Sequence, residues 1–276
     1  MNAAATQQPA DILRGHPRLG DQPPRASGLS ASWTFAWRAI LKLKHVPEEL
    51  ADVIGIPILF TLMFNYLFGG ALAGSTGRYL QFLLPGTLAL AVTLVTIYSG
   101  VTLNTDLSSG AFDRFRSMPI WRPAPIVGGL IGDTGRYLLA SALVIGLGLL
   151  MGFSPRAGVG GVLAAVGLLL AFAFGMGWMW TAIALVMRSP RAIMSIGLTV
   201  LFPLTFASNV FVEPTTMPGG LHTFVDINPI SHLVTAERGL MAGTATTGQV
   251  VWVLVAGAAL TAVFAPLTMR LYRNKE

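Results

Sequence analysis

The chain has no cysteine among its 276 residues, which excludes disulfides, thiolate metal sites and thiol nucleophiles. It is also poor in charge: Asp, Glu, Lys and Arg make up 11%, against about 25% in a soluble domain. With 53% hydrophobic residues and a mean hydropathy of +0.66, too little polar surface remains to solvate a globule. No G-x-x-x-x-G-K-S/T run occurs, so the chain has no phosphate-cradling loop of its own. No fixed-period repeat is evident. Residues 1–28 lack the basic start and apolar centre of a cleavable signal peptide. Polar and rich in Pro, Gly and Gln, they read as a disordered cytoplasmic tail ahead of a transmembrane domain over 29–276.

What charge there is leans basic, with a net +6 and a pI near 10.2. The excess is scattered among short connections, without the basic stripe or stacking platform of a nucleic-acid binder. Anionic lipid on the cytoplasmic face accounts for it, and no nucleic-acid partner is expected.

Apolar runs cover 53–73, 79–103, 137–153, 157–187, 192–212 and 247–269. Each approaches or exceeds the roughly 20 residues a helix needs to cross a hydrocarbon core. The third is proper only from Tyr137, but a polar, glycine-rich approach with Asp133 and Arg136 extends the span back to about 124. Threaded alternately with the N-terminus inside, the chain puts 15 of its 18 basic residues on the cytoplasmic side. Only Arg78, Arg156 and Arg238 fall outside, a strong positive-inside bias. The fold expected is an all-α, multi-pass membrane protein with six transmembrane helices and both ends in the cytoplasm.

Ser30–His45 reads as an amphipathic interfacial helix, with Trp33, Trp37, Ile40 and Leu41 on one face. In the second span Thr93, Thr96, Gly100 and Asn104 fall within about 80° on a helix. That polar stripe faces either a wet cavity or a neighbouring helix. Asp133 and Arg136, three apart, can pair. Gly128/Gly132 and Gly148/Gly152 have the small-xxx-small spacing of closely packed membrane helices. In the one long outer segment, 213–246, Leu221–Phe224 and Ile230–Leu240 are too short to span and read as re-entrant or interfacial helices. Carboxylates suited to a proton relay are nearly absent mid-span, since Asp52, Asp106 and Asp133 lie near the inner interface. The work is therefore supplied from elsewhere.

The cytoplasmic stretch Asp106 to Pro119 joins Phe112, Phe115 and Met118 to Asp113, Arg114 and Arg116. Aromatic anchors with arginines for register suit a short helix docking into a soluble partner. This D-L-x-x-G-x-x-D-R-F-R-S-M-P pattern resembles the cytoplasmic segment of ABC-2-type exporter permeases, particularly the daunorubicin-resistance type. A second match follows: Leu201, Leu204, Ala207-Ser208, Val210, Met217-Pro218, Pro229-Ile230-Ser231-His232 and Arg238. The resemblance covers about residues 30–275, and both motifs sit where the family's topology would put them.

The resemblance implies an exporter subunit that works as a dimer, identical or paralogous, each permease on one ABC ATPase subunit. No cofactor is bound by the chain itself; ATP and Mg sit on the partner. A coupling role would fall to Asp106, Phe112, Asp113, Arg114, Phe115, Arg116, Met118 and Pro119, and outer-gate packing to Pro218, Pro229, His232 and Arg238. The second and fifth spans would line the pathway through Thr93, Thr96, Gly100, Asn104, Thr199, Thr205, Ser208 and Asn209. That lining, apolar with hydroxyls, suits a bulky amphipathic drug or lipid leaving a bacterial cell membrane. A polysaccharide or glycolipid permease is the alternative, but the second span offers only Tyr79, Phe82 and Tyr98 as an aromatic belt. A serine hydrolase built on Ser99, Ser208, His222 and His232 lacks a recognisable oxyanion loop. A metal site from Glu213, His222, Asp226 and His232 matches no zinc spacing. No catalytic or metal residue is expected.

Overall fold

A computed structural model describes residues 27–45, 47–109, 121 and 123–274. Every regular element among them is helical. A helix stands where the interfacial one is expected, as α1, Gly28–His45, taking in the last residue of the expected tail. Trp33, Trp37 and Leu41 are exposed, while Ser32 and Ala36 are buried. The apolar stripe therefore faces outward, and the small-residue face packs on protein.

The first span is composite. α2, Pro47–Met63, runs through a π-helical turn, Phe64–Phe68, into α3, Gly69–Ala73. Ser75 then caps α4, Thr76–Val95, accepting the Arg78 N–H. α4 meets α5, Ile97–Ser108, at Thr96, and the two form one apolar run of 33 residues. Nearly every residue from Tyr79 to Asn104 is buried, so this run is the central post of the molecule.

α6, Ala124–Leu150, starts at Pro123 and includes the polar approach expected ahead of Tyr137. Gly128 and Gly132 hold it against α1 rather than against another span. A Cβ at Gly128 would come within 2.5 Å of Phe35 Cβ and the Ser32 carbonyl. Gly148 meets Leu84 of α4, whereas Gly152 turns the chain at φ +97°. α7, Gly158–Val186, matches the fourth expected span.

The fifth span differs from expectation. α8, Pro190–Phe206, has 17 residues and stops six short of position 212. Residues 207–212 bend instead, because side chains from elsewhere take up the carbonyls that a longer helix would satisfy. Five helical runs are consequently long and apolar enough to cross a membrane, with α8 as a shorter sixth. A 3-10 turn, Pro214–Thr216, precedes α9, Gly219–Ile227, and α10, Pro229–Ala242, the two short helices read from the outer segment. α11, Thr247–Asn274, closes the fold and packs along α7. Gly175 and Gly257 allow that contact, since a Cβ on Gly175 would lie 2.5 Å from the Gly257 carbonyl.

Candidate functional site

The bend after α8 is held by side chains that all aim at its backbone. Arg238 on α10 donates from Nε to the Phe82 carbonyl (3.1 Å) and from Nη2 to the Asn209 carbonyl (3.1 Å). Its guanidinium carbon lies 3.8 Å from the centre of the Phe82 ring. Pro85, which has no N–H to give, interrupts the α4 ladder in the next turn. Asn228 donates to the carbonyls of Leu204 (2.6 Å) and Ala207 (2.9 Å), while its oxygen caps α10 at Ile230. The Tyr79 hydroxyl donates to the Phe211 carbonyl (2.8 Å), and Asn209 Nδ2 to Thr235 Oγ1 (2.7 Å). Phe60, Phe64, Phe206 and Phe211 pack ring to ring beneath, with Phe64 stacked on Phe211 at 4.4 Å.

Two charged groups on α10 experience this burial oppositely. Burial lowers the pKa of Arg238 to about 10, against the pull of Glu213, Glu237 and Tyr79, so it stays a cation at neutral pH. Glu237 is wholly buried, and neither carboxyl oxygen has a hydrogen-bond partner. Burial raises its pKa well above 4.5, with Arg238 opposing the shift, so the fold favours the protonated acid.

The remaining outer-segment residues are dispersed. Pro218 is exposed ahead of α9, and Pro229 is the first residue of α10. His232 stacks on Trp252 of α11 at 4.0 Å and contacts the Asp226 carbonyl through Nε2 (2.8 Å). His222 pairs with Asp226 at 3.0 Å. Ser208 donates to the Thr205 carbonyl and accepts from Val210 N–H. His222 and His232 thus both meet Asp226, whereas Ser208 bonds the backbone of its own segment.

The stripe on the central post is used between helices. Thr96 accepts from Trp180 Nε1 (3.0 Å). Asn104 Nδ2 donates to the carbonyls of Ala184 (2.9 Å) and Met187 (3.0 Å), capping α7 from a neighbouring helix. A Cβ on Gly100 would meet the Trp180 carbonyl at 2.7 Å. Thr93, Thr205, Ser208 and Asn209 are also buried within the chain. Of the residues expected on a pathway, Thr199 alone is exposed. At the opposite end of the post, Asp106 is half-buried in the last turn of α5. The other expected coupling residues, Phe112, Asp113, Arg114, Phe115, Arg116, Met118 and Pro119, lie outside the described residues. Asp133 and Arg136 form the expected pair at 3.2 Å.

The family model of the ABC-2 type transporter matches residues 30–242, from α1 to the end of α10. The chain belongs to the ABC-2 type transporter family. It is 50% identical, over 93% of its length and 91% of the relative's, to the daunorubicin resistance ABC transporter permease protein DrrB1 of Streptomyces coeruleorubidus. It is 27% identical to the doxorubicin resistance ABC transporter permease protein DrrB of Mycobacterium tuberculosis, over 78% of this chain and 74% of that one. The probable doxorubicin resistance permease DrrC of the same species is 22% identical over 79% and 80%.

As an ABC-2 type membrane protein, the chain carries cap residues that the sequence reading passed over. Asn228 had a visible signal, an Asn-Pro pair at a helix start. Glu237 had one too, sharing a face with Leu233, Val234 and Met241 at helical spacing. Tyr79 and the four phenylalanines meet only through the fold, from stretches far apart in the sequence.

Proposed function

We propose that this chain is the permease subunit of an ATP-driven exporter that moves a bulky amphipathic drug outward. The observation that carries the reading is 50% identity to a daunorubicin resistance permease over nearly the whole of both chains. No covalent chemistry is required of the chain's own residues, and the lack of a phosphate loop in its sequence supports a separate subunit as the ATPase. Six crossings would comprise α2–α3, α4–α5, α6, α7, α8 and α11, with both ends in the cytoplasm. At 17 residues, α8 reaches about 25 Å at 1.5 Å per residue, and the bend at 207–212 would complete its passage.

Two ATPase subunits closing on ATP would draw the coupling segments of two permeases together, rocking each bundle as a body. The stripe residues Thr93, Thr96, Gly100, Asn104, Thr205, Ser208 and Asn209 would hold the moving wall from behind. Thr199, on the exposed face of α8, would meet cargo or the second permease. The cap formed by α9 and α10, with Pro218, Pro229, His232 and Arg238, would form the outer gate.

Inverted vesicles holding this chain and its ATPase test the reading with daunorubicin as the probe. ATP-dependent uptake is expected, and it should vanish when either subunit is omitted. Replacing Arg114 and Phe115 together by Ala should abolish co-purification of the ATPase while membrane insertion persists. Normal co-purification of that double variant would remove the coupling assignment.

A further inference from the structure

A groove of about 530 Å³ runs between the start of α6 and the last two turns of α11. Trp121 closes one side, and Pro266, Met269, Arg270, Tyr272 and Arg273 line the other. At 100° per residue Pro266, Met269, Arg270 and Arg273 fall within about 100° of one another, so they share one face of α11. Over the roughly 10 Å from Pro266 to Arg273 that face changes from apolar to cationic. Both arginines are exposed, and among the described residues no carboxylate pairs with either. Trp121 is held in place beside them. A Cβ on Gly28 of α1 would lie 3.2 Å from its ring, yet the residue is 48% exposed.

Two unpaired guanidiniums on one helix face select an anion, and phosphate oxygens match their planar donors. The wall below them selects against an anion that is polar throughout. Exposed Val263 and Leu267 continue that apolar surface into the span, where a soluble phosphate has nothing to offer. A tryptophan beside the arginines marks the head-group level. We propose that this groove holds one anionic phospholipid, its phosphate at Arg270 and Arg273 and an acyl chain along Pro266 and Met269. The described lining contains no acid, so a zwitterionic head group would bring an ammonium that finds only repulsion. A single retained molecule is a stronger statement than the general attraction of a basic membrane face for anionic lipid. It does not depend on the export reading.

The test uses the full chain alone, purified in detergent. It is incubated with micelles containing phosphatidylglycerol, phosphatidylethanolamine or phosphatidylcholine, and retained lipid is counted by mass spectrometry after gel filtration. One phosphatidylglycerol per chain is expected, retained about tenfold over the other two, the scale of one charge-assisted hydrogen bond. Arg270→Gln with Arg273→Gln should lose that preference. Arg188→Gln with Arg191→Gln, which removes equal charge outside the groove, should keep it. In Met269→Cys, made in a chain with no native cysteine, phosphatidylglycerol should protect the thiol from maleimide, and excess inorganic phosphate should not. Undiminished retention in the groove variant overturns the proposal, as does equal retention of the three lipids. Equal loss in both double variants also overturns it, assigning binding to diffuse surface charge. Protection by inorganic phosphate, or by an added ATPase subunit without lipid, would give the groove to a soluble anion or to a protein instead.

Discussion

Glu237 and Arg238 are neighbours in sequence with opposite relations to their surroundings. Arg238 spends its donors on two carbonyls of other segments, which a point charge on a flexible stem cannot bridge in the same way. Arg238→Lys should therefore destabilise the chain by roughly 2–4 kcal/mol, the scale of two charge-assisted bonds. The check is Tm in detergent, and a variant that melts with the native chain denies the cap its central tie. Glu237 makes no such tie, and its raised pKa links stability to pH with a definite sign. Above the ordinary glutamate value of 4.5, the unfolded chain has released a proton that the folded chain keeps. Stability from this group is complete below that value and declines as pH rises toward the folded-state value. Glu237→Gln stays neutral throughout. Between pH 5 and pH 8 the native Tm should fall by several degrees more than that of Glu237→Gln. Parallel curves would mean that Glu237 is ionised in the folded protein.

At the scale of elements, helix ends and close approaches organise the bundle. α7 and α8 both finish under asparagines from other segments, Asn104 and Asn228, because a carbonyl left bare in an apolar interior costs about as much as a lost hydrogen bond. The sequence declared the elements well, since Ser-Pro and Asn-Pro pairs and the apolar runs mark most boundaries. It did not declare the partners. The stripe through Thr96 and Asn104 was legible as a stripe, but a hydroxyl is satisfied equally by a wet cavity or by the next helix. The spacing of Gly128 and Gly132 was legible too, yet nothing local says that the groove receives α1. The apolar periodicity of α8 continues past Phe206, where tertiary capping ends the helix. The α1–α6 contact makes its own prediction. Ala36 is 1% exposed, and a side chain at Gly132 would press on Ala39 and the Ala36 carbonyl. With no native cysteine, Ala36→Cys should resist maleimide, and adding Gly132→Val should raise its labelling several-fold. Adding Gly129→Ala instead should leave it protected; labelling in that control as well would mean that α1 is not docked.

Across the whole molecule, hydrogen bonds sort the chain into two ends of opposite character. One end joins the starts of α4 and α7 to α10 and to the bend after α8, through Gln81 to Gly152, Ala157 to Met241, Tyr79 to Phe211 and Arg238 to Phe82. Arg78, Arg156 and Arg238, the three basic residues assigned outside, all lie there. The other end gathers Asp106, Trp121, Arg188, Arg191, Arg270 and Arg273, where α5, α7 and α11 finish and α6 begins. Charge placement and packing are independent properties of the sequence, and they divide the molecule at the same plane. A basic end tends to be retained on the cytoplasmic side during insertion, and that tendency is the ground for proposing both termini inside. Exposed positions at each end allow a direct reading in the cysteine-free chain. Ser75→Cys and Thr244→Cys should react with an impermeant maleimide on intact cells, while Ser109→Cys and Asn274→Cys should react only once the membrane is opened. The reverse pattern would turn the molecule over, place the segment from Asp106 to Pro119 outside the cell, and leave an ATP-driven partner nothing to grip.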